Sequence, residues 1–377
     1  MDKDVNESIW KEMKSVKILF IMPREIGIGG IETVVLAYWK ELLKRGHQVD
    51  FICHGYERGD YDDEIEKMGS LIYRVPIKSQ NLKGTVQGVS EVLEKNEYDV
   101  VHAHMNATCG LYLKIAKKNG VQCRVAHSHC SSYKAYTNNW VKILINELEK
   151  VKTRKYATDC LACSDLAGRW LYGRRPFKIV RNGVDIERYR YNVHEREVIR
   201  QELNIQRDEI VLGHVGGFVE CKNHDFLIEV FEQVYRENDK YRLILIGDGQ
   251  LQQTIKDKVK EKQMKDKVIF LGQRNDVWRC LQAMDIFLLP SLSEGAPVAA
   301  IEAQANGLKC VFSNKIPLEV FINNTTISLG IDEENKYEWV KECLLPAERT
   351  NVNNDRLEQY NWPRIVDELE DLYKSYQ

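Results

Sequence analysis

Short apolar runs rich in valine, isoleucine and leucine alternate with longer amphipathic segments along most of the chain. Residues 16–22 form one such run and predict a buried strand. Ile31, Val34, Val35, Tyr38 and Leu42 then recur at helical spacing over 31–45, and Gly46 supplies the stop. The pattern continues with strands over 48–53, 100–103, 123–127 and 158–163 and helices over 85–96, 110–119 and 141–155. It pauses between Ile186 and Glu209, a charged stretch poor in long aliphatics. Strands at 210–215, 241–246, 268–271, 286–289 and 309–313 follow, separated by helices at 223–237, 251–262, 277–283 and 298–306. A last amphipathic helix, 362–376, lines up Ile365, Val366, Leu369 and Leu372.

Strand–helix alternation of this kind builds parallel sheets covered by helices on both faces. Its interruption predicts two α/β units joined near residue 185, and 377 residues suffice for two cores. Such sheets bind ligands beyond the carboxyl ends of their strands, and the crevice between two units is the default site. Chemistry is therefore expected just after predicted strands.

Lys+Arg number 54 and Asp+Glu 56, so no global field recruits nucleic acid. Two local clusters are basic: Lys152, Arg154 and Lys155, and Arg174, Arg175 and Lys178. They are solvated helix ends, or a surface facing anionic lipid or a charged acceptor. The ten cysteines are scattered through apolar runs. Cys160 and Cys163 form a CxxC without a second pair or a nearby histidine pair, so no metal or redox role is expected of them. The amino-terminal residues lack an apolar signal-peptide core, and no apolar run reaches the roughly 18 residues that cross a bilayer. Free thiols without an export signal predict a cytoplasmic protein.

Four motifs carry candidate chemistry. GIGGIE at 27–32 follows the first strand and opens the first helix, where glycines admit a ligand and free N–H groups face an anion. It is like a dinucleotide-binding turn, with Asp50 expected to end the second strand as a ribose-binding acid. However, the third glycine position of that fingerprint holds Glu32, which would repel a pyrophosphate. A plain tight turn, or a contact to an anion or sugar, remains. His102, His104, His127 and His129 lie at or beyond two strand ends, the members of each pair expected to alternate across the strand or its exit. No carboxylate or thiolate at metal spacing joins them into a zinc site. They are histidines bonded to backbone, or donors to a sugar or carbonyl oxygen. In GHVGGFVECKNHDF, 213–226, the strand ends at Gly216 and Gly217, and Lys222 near a helix start suits a phosphate. In SLSEGAPVAAIEAQANG, 291–307, Glu294 follows a very apolar strand, Gly295 and Pro297 suit a loop entering a helix, and Glu302 lies within that helix. Two acids so placed can grip vicinal hydroxyls, or both can be solvated glutamates.

Taken together, GGIE, the AHSH strand, VRNGVD at 180–185, GDG at 247–249 and the E-x7-E of Glu294 and Glu302 resemble glycosyltransferase family 4 over roughly residues 16–377. LACSDLAGRWLYG resembles the bacterial exopolysaccharide and capsule enzymes of that family. The resemblance implies a GT-B fold, two Rossmann-like doubly wound domains facing across a cleft. The acceptor domain would span 16–185 and the donor domain 186–361, with the final helix, 362–377, crossing back to the first. It also implies retaining transfer of a hexose from a nucleoside-diphosphate sugar, usually UDP-linked, to a glycan or lipid-linked glycan, without a metal or other cofactor. On this chain the Gly29 and Gly30 amides would face the diphosphate and the transferred sugar. His129, or alternatively His127, would donate to that sugar, and Lys222 would contact the diphosphate. Glu294 and the backbone of Gly295, Ala296, Pro297 and Val298 would hold sugar hydroxyls and phosphate, and Glu302 the ribose. Asn182 and Gly217 complete the donor-binding positions.

One position departs from the family pattern. Gly217 stands where an arginine usually partners the lysine, which points to a slow enzyme, to a substitute cation such as Arg24 or Arg274, or to a sugar-nucleotide-binding protein without turnover. A metal-dependent GT-A enzyme would need an Asp-x-Asp after an apolar strand, whereas Asp60-Tyr61-Asp62 lies in a charged segment. An isomerase or epimerase of similar shape should lack the E-x7-E. Acceptors are expected at 78–84 and 131–155. The basic, amphipathic 141–155 segment beside Trp140 suits a lipid-linked glycan and the inner face of a membrane, or is an ordinary packed helix.

Overall fold

The computed structural model describes residues 15–132, 139–350 and 355–377. Its first sheet holds β1 (Lys17–Ile21), β2 (Gln48–His54), β3 (Ile72–Val75), β4 (Val100–Ala103), β5 (Cys123–Ser128), β6 (Asp159–Ala162) and β7 (Lys178–Ile179). They lie in the order β3-β2-β1-β4-β5-β6-β7, every pair parallel. The second holds β8 (Ile210–Val215), β9 (Tyr241–Ile246), β10 (Val268–Gly272), β11 (Ile286–Leu289), β12 (Lys309–Ser313) and β13 (Thr326–Leu329), ordered β10-β9-β8-β11-β12-β13 and also parallel. Strand order reverses at β1/β4 and at β8/β11, opening a crevice at each point. This is the GT-B architecture, two Rossmann-like sheets with helices packed on them.

Apolar strands explain most of the fold. Phe20, Phe51 and Val125 are fully buried in one core with Trp39 of the Gly30–Lys44 helix, and Phe287, Leu288 and Val311 are fully buried in the second sheet. Elements the apolar pattern left out are short or charged. Helix Val193–Glu202 lies inside the charged stretch expected to interrupt the alternation. It is held by ion pairs, Arg196 to Asp285 at 2.6 Å and Arg200 to the same carboxylate at 3.4 Å, and by Arg196 donating to the Met284 carbonyl. Charge-anchored packing of this kind leaves no hydrophobic period to detect. Asp50 does not end β2, which runs on to His54. It is buried and accepts from the Leu71 amide and the Tyr98 hydroxyl, both at 2.8 Å, so it is not a ribose-binding acid.

The chain passes between the two sheets twice, side by side: the Val184 amide donates to the Tyr360 carbonyl at 2.8 Å, and Val184 bridges Asn361. Helix Trp362–Lys374 then returns to the first sheet, burying Ile365, Val366, Leu369 and Tyr373 against the Gly30–Lys44 helix and the strands beside it. Of the four residues expected to share its apolar face, Leu372 is the one left partly exposed. Glu370 fastens the helix, accepting from Arg45 at 2.6 Å, His47 at 3.0 Å and Lys374 at 2.5 Å. Burial pushes the Glu370 carboxyl up, but Lys374, Arg45 and His47 together hold it down at about 2. That stabilisation is complete above the ordinary glutamate range and is lost as pH falls from about 4.5 towards 2. Glu370→Gln should therefore cost on the order of 2 kcal/mol near neutrality, with the gap to wild type closing in acid, as urea denaturation at several pH values would show.

Candidate active site

The candidate residues lie at the carboxyl ends of β1, β4, β5, β8 and β11, beside the two reversal points. The loop after β11 crosses to the first sheet. The Glu294 carbonyl accepts from Ser131 Oγ at 2.5 Å, the Gly295 carbonyl from Ser164 Oγ at 2.6 Å and the Ala296 carbonyl from Asn182 Nδ2 at 2.7 Å. A Cβ on Gly295 would lie 2.3 Å from the His129 carbonyl oxygen, so only glycine permits this approach. His129 and Gly295 are thus in contact across the two units. Pro297 caps the Val298–Ala305 helix, which opens away from the loop.

Behind that loop, Lys222 Nζ reaches Glu294 Oε1 at 2.6 Å, and Ser291 Oγ donates to the same oxygen at 2.7 Å. Lys222 ends a short 3-10 turn, Glu220–Lys222, and its stem lies against Gly216. A Cβ on Gly217 would meet nothing nearer than the Asp248 carbonyl at 3.4 Å, an ordinary contact. Neither substitute cation is wholly free. Arg274 is clasped by Asp276 at 2.7 and 2.6 Å, while the largely exposed Arg24 touches buried Glu32 at 3.4 Å. On the opposite wall Gly29 caps the Gly30–Lys44 helix, and Gln273 of the second unit donates to the neighbouring Ile28 carbonyl at 2.5 Å.

The four histidines form one buried stack. His102 in β4 and His104 just past its end lie on one side, their rings 4.1 Å apart; His127 in β5 and His129 just past its end repeat this at 4.2 Å. The expected alternation across the strand does not hold, because positions i and i+2 share a face. His104 Nδ1 meets His129 Nε2 at 2.9 Å, His102 Nε2 meets His127 Nδ1 at 3.1 Å, and Tyr373 of the final helix meets His102 Nδ1 at 2.6 Å. Their partners are rings, not the backbone. Burial drives His129 down to about 3 and the other three well below the ordinary range, leaving neutral imidazoles at pH 7. One ring nitrogen each of His104, His127 and His129 (Nε2, Nε2 and Nδ1) finds no hydrogen-bond partner among the described residues. Among those residues His102, His104 and His127 are the one trio with nitrogen atoms close enough, within 4.8 Å, to share a metal ion.

Glu302 is not solvated. It is buried, accepts from Tyr189 Oη at 2.6 Å, and burial raises its carboxyl to about 7, the Tyr189 bond and Arg188 opposing that rise. Asp62 of the Asp-x-Asp letters is buried in an ion pair with Arg74, and the exposed Asp60 accepts from the Ile28 amide. All ten cysteines are free thiols, nine of them buried, and burial lifts Cys160 to about 11.

Residues 28–188 match the Glycosyltransferase Family 4 model and residues 195–343 the Glycosyl transferases group 1 model. EpsF of Bacillus subtilis (strain 168) is 32% identical over 78% of each chain. The chain belongs to glycosyltransferase family 4. A second relative of this glycosyltransferase is the UDP-Gal:alpha-D-GlcNAc-diphosphoundecaprenol alpha-1,3-galactosyltransferase of Escherichia coli, 26% identical over 92% of this chain and 94% of its own. Anabaena Alr3699/HepE, solved in complex with UDP and glucose, superposes with a TM-score of 0.74 at 17% identity, covering 96% of this chain and all of that one, which shows the shared fold.

Ser131, Ser164, Ser291 and Tyr189 are the contacts that the sequence pattern did not single out. Ser164 was detectable as a helix cap, since its hydroxyl accepts from the Ala167 amide. Tyr189 had no signal, because only folding brings it to Glu302. Two measurements test this glycosyltransferase's site. Gly295→Ala should lower stability by about 1–3 kcal/mol in chemical denaturation, because the methyl overpacks the His129 backbone, while Gly30→Ala, with open space around its Cβ, should not. Because the Glu302 pKa is raised, the stability it contributes is present below about 4.5 and lost as pH rises through about 7. Glu302→Gln should gain on wild type across that interval, by roughly 2–3 kcal/mol at its upper end, in denaturation curves at each pH.

Proposed function

We propose that this glycosyltransferase moves a hexose from a UDP-linked donor to a glycan or lipid-linked glycan during exopolysaccharide or capsule assembly, with retention of configuration and no metal. The observation that carries the reading is the Lys222–Glu294 pair, set beside His129 and Gly295 where the two sheets face each other. Breaking the anomeric bond places charge on the departing diphosphate. Lys222, the Gly29 and Gly30 amides and the amides of the loop after β11 are cationic or hydrogen-bonding groups suited to it, the role a metal fills elsewhere. Glu294 would turn its carboxylate to sugar hydroxyls while Lys222 takes the phosphate. His129, neutral and against Gly295, suits donation to the sugar better than His127, which is sealed behind it. Glu302 would exchange its Tyr189 bond for ribose hydroxyls. In a front-face transfer the leaving phosphate helps deprotonate the acceptor, so no separate base is needed. Support for a UDP-linked donor and a lipid diphosphate acceptor comes from the name of the E. coli relative and from the UDP and glucose bound to HepE.

Gly217 sustains a second reading, a protein that binds sugar nucleotide without turnover. Calorimetric titration with UDP, GDP and ADP tests both. UDP should bind, and Gly217→Arg, which the backbone accommodates, should tighten binding by about ten- to a hundredfold, the worth of one charge-assisted phosphate contact. Unchanged affinity in the variant rejects the missing-arginine account. Tight UDP binding with no transfer to any acceptor favours the second reading.

A further inference from the structure

Helix Trp140–Tyr156 is polar inside and apolar outside. Asn146, Glu149, Lys150 and Thr153 face inward and are buried. Thr153 fixes this orientation, accepting from the Gly110 amide at 2.8 Å and donating to the Ala107 carbonyl at 2.7 Å. Lys150 lies 4.3 Å from the centre of the Trp170 ring, and Glu149 takes Lys152 at 2.9 Å and Lys78 at 3.1 Å. Outward point Trp140, Val141, Leu144, Ile145, Leu148 and Val151, all exposed, with Leu148 at 57% and Trp140 at 73%. At 100° per residue these six share an arc of about 140°. Lys152 and Lys155 fall within that arc at its carboxyl end, and Lys142 flanks its start. Both acids of the helix are paired with lysine, Glu147 with Lys150 and Glu149 as above.

Six large apolar side chains along one face mark an interaction surface. We propose that this face docks on an anionic lipid bilayer, with the helix lying in the plane of the headgroups, its apolar side chains in the acyl boundary and its lysines on lipid phosphates. The charge pattern favours this occupant over a second copy of the chain. A two-fold contact would set Lys142 of one copy towards Lys155 of the other, whereas anionic headgroups complement both, Lys152 being already paired with Glu149. Trp140 suits the headgroup level. No helix among the described residues is long and apolar enough to cross a membrane, so the contact is peripheral. The helix is also coupled to the candidate site. Thr153 holds Ala107, and the adjacent Asn106 accepts the His129 amide at 2.7 Å. Docking would bring the cleft to a lipid-linked acceptor. That use rests on the proposed reaction, while the docking itself does not.

The test is flotation of the purified protein with phosphatidylcholine vesicles, with and without phosphatidylglycerol, for wild type and for Leu144→Glu/Leu148→Glu. Both substitutions are at exposed positions, so the melting temperature and UDP affinity should not change. Wild type should float with the anionic vesicles, less so in high salt, and the double variant should bind them about tenfold or more weakly. Failure of wild type to float, equal flotation of both proteins, or equal binding to vesicles without phosphatidylglycerol overturns the proposal. So does a wild-type dimer in gel filtration that the double variant dissociates, since the face would then be a self-contact. Loss of UDP binding in wild type would instead count against the transfer reading.

Discussion

The site depends on the seating of one loop, residues 294–297, against the strand ends of the opposite sheet. Three successive carbonyls are taken up by Ser131, Ser164 and Asn182, side chains from three separate segments of the first unit. Because a peptide's C=O and N–H point in opposite directions, engaging the Glu294 and Gly295 carbonyls on one side leaves the Gly295 and Ala296 amides directed away from those partners, while the third peptide, closed by Pro297, has no N–H. Gly295 makes the seating possible, since its missing side chain lets two backbones meet. Through that contact β5 and β11, 161 residues apart at their last members, place His129 and Glu294 side by side, and Lys222 follows by its ion pair.

Around this contact the molecule holds polar groups in positions that burial disfavours. Four neutral histidines stack beneath the cleft with ring nitrogens left over, and the burial of Glu302 opposes its ionisation. Orphaned polar atoms of this kind weaken a fold unless a ligand completes them. Tyr373 ties that helix directly to the stack through His102. The returning helix is therefore part of the support for the site as well as a cover for the first sheet.

The long apolar strands and the amphipathic helices were legible because burial on a sheet or on one helix face imposes a period on the sequence. β8, β9, β11 and β12 fall where that period puts them. Helix Val193–Glu202 and the short strands β3, β7 and β13 were not, since ion pairs and three or fewer buried positions leave no such period. Helix Trp140–Tyr156 showed amphipathicity in the sequence, but amphipathicity alone does not tell which face is inside. The bonds of Thr153 with Gly110 and Ala107 decide it, and they turn the apolar face outward.

By itself the sequence pointed to two α/β units and to Glu294, Lys222 and His129 as candidates, because parallel sheets put functional residues just after strands, while the crossing of the final helix and the role of Glu302 came from the family resemblance. Only the tertiary structure decided how those residues combine. Pairing of Lys222 with Glu294, of Glu302 with Tyr189 and of His102 with His127 joins positions 72, 113 and 25 residues apart. Contacts of that separation depend on where whole sheets meet, which local spacing does not encode.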